Sequence, residues 1–151
     1  QLVGLEARGD SDLVEVARWL PDGVICIGSA LVHHRLIDEV PDQVHVAIAR
    51  GKQPARPCEV PVRVFRFSGP AWREGVEDSE IDGAALRVTS IEKSITDAFK
   101  FRAKTGERLA VTAMRRALER GLTTPEAIHP MARICRVERV MAPYFTAFTT
   151  L

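Results

Sequence analysis

The sequence predicts an α+β domain, with a mixed or antiparallel sheet formed from residues 24–88 and packed by helices that are mostly C-terminal. Before residue 89, several short runs alternate apolar and other residues with a period of two, which is typical of strands. After residue 89, apolar residues recur every three or four positions, which is typical of helices. Because strands and helices fall into separate stretches, an α+β arrangement is favoured over a regular α/β alternation.

The composition indicates one globular domain spanning residues 1–151. The chain is 46% hydrophobic and 27% charged, with a net charge of +1, which excludes the disordered and low-complexity classes. No apolar run approaches the roughly 20 residues that a membrane helix needs. The three cysteines, Cys26, Cys58 and Cys135, are too few and too scattered for a disulfide framework or a zinc site. Reduced thiols in a cytoplasmic protein are therefore expected.

The first elements are predicted from apolar spacing and turn residues. An amphipathic helix is predicted over residues 11–20 and is ended by Pro21. The apolar run 24–27 predicts a buried strand that leads into a second helix, with Ser29 as its N-cap. This second helix should be short, because Pro41 interrupts the pattern.

Three further strands are predicted before residue 89. Alternating apolar residues mark a strand over 44–48, and the basic, proline-containing segment 51–57 forms the loop after it. A further strand over 60–67 is either apolar on both faces or shifted by a bulge. Residues 76–88 form a hairpin around Asp82 and Gly83, a pair that suits the positive φ angles of a type I′ turn.

Two helices are predicted directly after the hairpin. Residues 89–92 read Thr-Ser-Ile-Glu, a capping box that opens the first of them. Gly106 ends this helix, and the next one stops before Gly121. Each helix has an apolar stripe on one side. The stripes comprise Ile91, Ile95, Ala98 and Phe99 in the first and Leu109, Ala110, Ala113, Met114, Ala117 and Leu118 in the second.

Two more helices are predicted at the C-terminal end. Residues 123–126 read Thr-Thr-Pro-Glu, a second capping box with proline near the first turn. The helix that it opens should end or kink near Pro130. A last helix is expected over residues 137–148, bent or restarted at Pro143.

Charge is balanced over the whole chain but is segregated along it. Residues 49–73 contain six basic side chains and one acidic, and residues 98–120 contain seven basic and two acidic. The segments 1–48 and 74–97 each carry five more acidic than basic side chains. The two basic segments could meet as one cationic face that attracts a polyanion or an acidic partner, or they could pack beside the acidic segments and cancel.

One row of charged residues has helical spacing. Lys93, Asp97, Lys100 and Lys104 lie at i, i+4, i+7 and i+11, which predicts one stripe opposite the apolar face of the helix. Such a row could contact phosphates of a nucleic acid or carboxylates of a partner. The alternative is an ordinary solvated helix face in which Lys93 and Asp97 form an i,i+4 pair.

No enzymatic template fits the sequence. Neither a dinucleotide-binding nor a P-loop glycine pattern is present. Ser29 follows a predicted strand as a nucleophile would, but the flanking glycines of a nucleophile elbow are missing, and an N-cap explains this serine. A nuclease-like site would need a second carboxylate where Arg50 stands, and the adjacent His33 and His34 do not have metal-ligand spacing. No catalytic residue, metal or cofactor is therefore predicted.

A weaker hypothesis retains an enzyme. Ser29, His34, Asp38, Asp97 and Lys100 are polar groups that the fold could bring together as a degenerate nuclease or group-transfer site. Catalytic partners must come within hydrogen-bond reach of one another, so this hypothesis depends on their proximity.

A series of short motifs follows one order along almost the whole chain from about residue 11. The motifs are Ser29-Ala30-Leu31, His34, Asp38-Glu39, the segment 44–51, the segment 65–68, Gly75-Val76-Glu77, Asp82-Gly83, the segments 88–97 and 99–106, and Pro143-Tyr144. In this order and spacing they resemble the AbiEi family of antitoxins. One departure is Arg35, where the family often has glycine, a residue that favours a tight turn.

The resemblance implies the C-terminal half of a two-part protein. A winged helix-turn-helix that binds the operon's own promoter is expected upstream of residue 1. The present domain is tied to antitoxin activity against a nucleotidyltransferase toxin encoded beside it, in a type IV toxin–antitoxin system. Whether the toxin is contacted directly is left open.

The resemblance also implies which residues form the functional surface. The charged motifs of the family coincide with the basic loop and the helical row, and the expected surface comprises Arg50, Lys52, Lys93, Asp97, Lys100, Arg102 and Lys104. Ser29, His34 and Asp38 are expected to organise the fold near it. The alternative function is a nucleic-acid-binding module that uses the basic segments 49–73 and 98–120.

Overall fold

The computed structural model describes residues 2–149, with side chains from residue 9 onward. The helices are α1 (Leu2–Trp19), α2 (Ile27–His33), α3 (Pro70–Arg73), α4 (Ile91–Lys100), α5 (Arg102–Thr105), α6 (Glu107–Glu119), α7 (Pro125–Ile134) and α8 (Glu138–Thr149). The strands are β1 (Val24–Ile25), β2 (Val44–Ala49), β3 (Val62–Phe67), β4 (Val76–Ile81) and β5 (Ala84–Thr89). The predicted α+β class is confirmed. No helix among the described residues is long and apolar enough to cross a membrane.

The five strands form one mixed sheet in the order β3-β2-β1-β5-β4. The short β1 pairs antiparallel with β2 and parallel with β5, so that Ile25 lies beside Val88. The β2–β3 pair is parallel and the β4–β5 hairpin is antiparallel. Consequently β3 and β4 form the two edges of the sheet.

Each face of the sheet has its own apolar cluster. On one face, Phe65 and Phe67 of β3 pack with the helices α4, α6, α7 and α8. On the other face, Val62 and Val64 belong to a smaller cluster with α1. Even and odd residues of β3 thus point to opposite sides, as the pleat of a strand requires. The helix α4 lies centrally, in contact with α2, α6 and α7.

The hairpin prediction is confirmed. Asp82 and Gly83 form its turn with φ angles of 51° and 81°, the positive values that a type I′ turn needs. The strand predicted over 44–48 is also confirmed as β2, whereas the strand predicted over 60–67 begins two residues late, after Pro61. Pro61 still accepts a hydrogen bond from Val44, so it marks the start of the ladder.

Two predicted helix starts are wrong. The first helix does not begin near residue 11 but already at Leu2. Leu13 and Val16, which the apolar spacing placed on one face, are buried against the sheet. Ser29 is not an N-cap: Cys26 occupies that position, and Ser29 lies inside α2. The chain enters α2 through Ile27, whose φ of 45° makes the sharp strand-to-helix turn.

The later helix boundaries differ from prediction in detail. The N-cap of α4 is Ser90, which accepts from the Lys93 N–H, and not Thr89. The helix ends at Lys100 and breaks at Phe101, so the row from Lys93 to Lys104 is not one continuous helix.

The two C-terminal helices tolerate internal prolines. Thr124 caps α7 by accepting from Ala127, and α7 continues past Pro130 to Ile134. Of the two predicted alternatives, an end or a kink near Pro130, the end is wrong, because the loss of one N–H does not outweigh burial of the helix. Pro143 likewise lies within α8.

The turn after α2 has a left-handed backbone at Arg35, the position at which the sequence departs from the AbiEi motif. Arg35 adopts a φ of 63°, and the Leu36 N–H donates to the carbonyl oxygen of Leu31 at 2.8 Å. This tight left-handed turn is the conformation that glycine adopts most easily. Arg120 from α6 donates to the Arg35 carbonyl oxygen at 2.6 Å and so holds the turn in place.

Candidate binding surface at the sheet edge

The charged row on α4 begins in the protein interior. Lys93 and Asp97 are 1% exposed or less, and the Lys93 ammonium donates to both oxygens of the Asp97 carboxylate at 2.7 and 2.6 Å. The prediction that both residues form part of an exposed stripe is therefore wrong. The spacing of i and i+4 does pair them, but β3, α7 and the loop before β4 cover the pair.

Three neighbours seal this ion pair. The Lys93 ammonium lies 4.1 Å from the centroid of the Phe67 ring, a cation–π contact. The Cys135 thiol lies 3.8 Å from an Asp97 oxygen. On the third side, Gly75 comes so close that a Cβ at this position would lie 2.6 Å from Cβ of Lys93.

Burial changes the proton affinities of the groups around the pair. Desolvation raises the pKa of Asp97 from its ordinary value of 3.8 to about 6, and the Lys93 ammonium opposes this rise only in part. Burial, assisted by the Asp97 carboxylate, raises the pKa of the Cys135 thiol to about 11. Burial also raises the pKa of Cys26. Both thiols are thus protonated at neutral pH.

Beyond Phe101 the same row reaches the surface. Lys100 and Lys104 are exposed, and their ammonium groups each lie 5.9 Å from the Phe101 ring centroid. The Phe101 ring packs against Phe65 of β3, with 5.1 Å between ring centroids. These two lysines therefore lie beside the edge strand of the sheet.

The edge strand contributes two arginines that the sequence did not single out. Arg63 donates to the carbonyl oxygen of Lys104 at 3.1 Å, which joins the two basic segments directly. Arg66 donates to the carbonyl oxygen of Lys52 at 3.4 Å, and so fixes the basic loop against the strand. Only the charge of segment 49–73 hinted at Arg63, since its partner lies 41 positions away in the chain.

We define the cationic edge as the set of basic side chains that follow β3 and its flanks. Its members are Arg50, Lys52, Arg63, Arg66, Lys100 and Lys104. Among the side chains of residues 9–149, the ion pairs are Lys93–Asp97, Arg116–Asp38 and Arg133–Glu138, and none includes a member of this set. The two basic segments thus meet rather than being neutralised by the acidic ones.

Arg102 is placed differently from the rest of the expected surface. It is half-buried, and its guanidinium donates to the carbonyl oxygen of Phe99 at 2.9 Å. This contact caps the C-terminal end of α4. Arg102 thus has a hydrogen bond within the fold that the exposed lysines lack.

Ser29, His34 and Asp38 take part in separate contacts. The Ser29 hydroxyl accepts from the His45 backbone N–H at 2.9 Å, and the His34 ring is bonded to the Thr89 carbonyl oxygen at 2.7 Å. Asp38 is exposed and lies 3.3 Å from Arg116. In the part of the chain that the structure describes, no hydrogen bond joins two of the three. Their joint role in organising the fold near the surface stays a prediction.

His45 is a buried polar residue that the sequence analysis did not single out. Its Nδ1 accepts from the Gly28 N–H at 3.0 Å, which fixes the start of α2 against β2. Burial, with the nearby Arg63 charge as a second cause, lowers the pKa of His45 from 6.5 to about 4. His45 is therefore neutral at pH 7 and serves as an acceptor.

No metal site is apparent among the described residues, since no three His, Cys, Asp or Glu side chains converge there. Arg50 lies at the end of β2 and is exposed, with its backbone N–H bonded to Phe67. The position at which a nuclease would place a carboxylate thus belongs to the cationic edge. The absence of enzymatic activity stays a prediction.

The sequence matches no protein-family model. A search of curated proteins likewise finds no significant match. The likeness to the AbiEi antitoxins accordingly depends on the ordered motifs of the sequence.

Proposed function

We propose that this chain is the antitoxin domain of an AbiEi-like protein and counteracts a nucleotidyltransferase toxin through its cationic edge. The observation that carries the proposal is the junction of the two basic segments, where Arg63 donates to the Lys104 carbonyl oxygen. Basic side chains gathered on one rim attract an acidic partner and orient it. Promoter autorepression would belong to the winged-helix domain expected upstream.

Arg35 supports the family assignment on which this proposal depends. The family often has glycine at this position, and the chain here adopts a positive φ of 63°. An arginine in this conformation keeps the backbone shape that a glycine would favour. The departure from the family motif is thus compatible with an unchanged turn.

A second function is favoured by the same junction. The cationic edge could bind the phosphates of duplex nucleic acid, because its basic groups have no carboxylate partners among the described side chains. Binding through 6–10 phosphate contacts would weaken by roughly 10³–10⁵ between 50 and 200 mM salt. A titration with duplex DNA at low and high salt separates this function from protein binding.

The proposal is tested by rescue of growth in cells that express the toxin. The variant carries Lys52→Glu, Lys100→Glu and Lys104→Glu in the full-length antitoxin. These side chains are exposed and donate no hydrogen bond within the described residues, so the fold should survive. We expect rescue to be lost.

The matched control reverses the same amount of charge elsewhere. It carries Arg87→Glu, Arg115→Glu and Arg139→Glu, which are exposed residues that do not belong to the cationic edge. The control should rescue growth as the unmodified protein does. Full rescue by the lysine variant would contradict the proposal, and equal loss in both variants would indicate a dependence on net charge alone.

A further inference from the structure

The edge strand β3 leaves part of its backbone without a partner strand. The Val44 N–H donates to Pro61 and the Arg50 N–H donates to Phe67, so the odd-numbered residues of β3 face β2. Because alternate residues of a strand point their N–H and C=O groups to opposite sides, those of Val64 and Arg66 point away from the sheet. Within residues 2–149, no backbone group pairs with them.

An apolar groove lies along one side of this free edge. It has a volume of about 630 Å³ and is lined by Trp19, Val60, Val62, Val64 and the proline-containing loop, a size within the range of about 300–1,000 Å³ for ligand sites. The Trp19 indole donates to the Arg56 carbonyl oxygen at 2.7 Å and so holds the loop beside the groove. The groove is therefore built by α1, the loop and the strand together.

The other side of the free edge is charged. Arg63 lies over the Phe65 ring at 5.7 Å from its centroid, and Lys104 lies beside Phe101. These cations belong to the face opposite the groove, because Arg63 has the odd parity of Phe65 and Val64 the even one. Beside Arg63 and Val64, an added strand would meet cations with one set of alternate side chains and apolar surface with the other. Arg66 has the parity of Val64 and adds one cation at the far end of the groove face, where it donates to the Lys52 carbonyl oxygen.

We propose that β3 receives an extended segment of a partner protein as a sixth strand, and that this segment alternates acidic and apolar residues. Its backbone would pair with Val64 and Arg66, its apolar side chains would enter the groove, and its carboxylates would face Arg63 and Lys104. This is the mode of strand addition in which main-chain bonds give affinity and alternate side chains give specificity. The inference rests on the proposed function in assigning partner binding to the cationic edge.

A protein strand suits this edge better than a second β3 or a nucleic acid does. Pairing two copies of β3 would set the arginines of one copy beside those of the other, and like charges directly opposite destabilise a sheet. The apolar side chains of the groove, in turn, offer no hydrogen-bond donor to a phosphate backbone, and the free carbonyl oxygens of β3 cannot donate to one. The acidic β4 of a second copy remains an outcome that the test must separate.

The experiment measures binding of a synthetic peptide and the labelling rate of the Cys58 thiol. A synthetic peptide as long as β3, with glutamate alternating with valine, is titrated into the protein and followed by fluorescence anisotropy. Cys58 lines the groove and is half-buried, whereas Cys26 and Cys135 are buried. Binding should therefore slow maleimide labelling of Cys58. A peptide with lysine in place of glutamate is the charge control.

The decisive variant is Val64→Pro. The Val64 N–H points away from β2, so proline removes the donor for the added strand without removing a bond of the sheet. We expect peptide binding to weaken by at least about tenfold, as the loss of a buried hydrogen bond would produce. Glu80→Pro is the matched control, because Glu80 has its N–H on the free side of β4. It should leave binding within about twofold.

Each outcome decides the inference. If Val64→Pro does not fold, as judged by its thermal transition, Lys100→Glu with Lys104→Glu replaces it and should weaken the peptide similarly. Equal binding of the lysine peptide, unchanged binding by Val64→Pro, or concentration-dependent dimers abolished by Glu80→Pro would overturn strand addition by a partner. Growth rescue measured on the same variants separates the two proposals. If the peptide does not bind but the three-lysine variant loses rescue, strand addition is wrong and the proposed function stands.

Discussion

The two halves of the charged row on α4 and α5 have the same spacing and opposite environments. Lys93 and Asp97 are buried as an ion pair, whereas Lys100 and Lys104 are exposed at the sheet edge. A row defined by helical spacing predicts which side chains are neighbours but not how deep they lie. The burial of each side chain depends on which elements pack against it, and these elements come from distant parts of the chain.

The change of environment occurs at one residue. Phe101 ends α4, and its ring packs on Phe65 and Phe67 of the edge strand. Before this residue the row lies beneath Phe67 and beside Gly75, and after it the chain passes to the rim. The comparison predicts that substitutions in the first half act on stability and those in the second half act on binding.

The largest expected effect is on the ion pair. Asp97→Ala should lower the free energy of unfolding by about 3–5 kcal/mol, because it leaves the buried Lys93 ammonium without the side chain that accepts its hydrogen bonds. Protonation of Asp97 does not remove this acceptor. Lys100→Ala, the exposed counterpart, should change it by less than about 0.5 kcal/mol. Urea denaturation of both variants measures the difference.

A double variant sharpens this result. Lys93→Met with Asp97→Leu removes both charges and should cost far less than Asp97→Ala alone, or even stabilise the protein by about 1–4 kcal/mol. If Asp97→Ala is no more costly than Lys100→Ala, the pair is solvated and the contrast between the two halves fails.

The next largest effect is a pH dependence with two opposed contributions. The raised pKa of Asp97, about 6, means that its contribution to stability is full below about pH 4 and is lost as the pH rises through 6. The lowered pKa of His45, about 4, means that its contribution is full above pH 6.5 and is lost as the pH falls through 4. Between pH 4 and 6 the two changes oppose each other.

A variant that lacks either Asp97 or His45 should show the pH dependence of stability that the other residue causes. In the Lys93→Met, Asp97→Leu variant, the free energy of unfolding should fall by up to about 3 kcal/mol between pH 6.5 and 4, because the contribution of Asp97 no longer opposes that of His45. His45→Asn should show the reverse slope. Parallel pH profiles for the two variants would contradict the assignment.

The smallest effect compares two glycines. Gly75 and Gly83 have φ angles of 74° and 81°, so alanine at either position costs roughly 1–2 kcal/mol of backbone strain. Only at Gly75 would the added Cβ meet Lys93, at 2.6 Å, whereas Gly83 has no atom within 4 Å of that point. Gly75→Ala should thus be more destabilising than Gly83→Ala by about 1–3 kcal/mol. Thermal denaturation of both measures this, and equal losses would mean that the ion pair shifts freely.

Local signals predicted the elements of this fold better than their boundaries. The turn at Asp82 and Gly83 is specified by its own two residues, so the hairpin could be read directly. Ser29 suits an N-cap in isolation, but α2 starts earlier, through Ile27, and the serine hydroxyl binds β2 instead. Its role depends on a strand that lies 16 positions further on.

The candidate site was less predictable because it is made by long-range contacts. The charge of the two basic segments indicated that they could meet, and Arg63 and Lys104 do so. The sequence of α4 alone did not indicate that Lys93 is buried, because an i,i+4 pair has the same spacing on an exposed face of a helix as on a buried one. Only the approach of Gly75 and Phe67 distinguishes the two cases.

The parallel pairing of Ile25 with Val88 has a consequence for synthesis of the chain. On the ribosome, β1 emerges long before β5, so the middle of the sheet cannot close until most of the strand region has been translated. The helices that cover Phe65 and Phe67 are translated later still. Until then the nascent polypeptide exposes these rings to solvent and to chaperones, and this interval is when aggregation competes most strongly with folding.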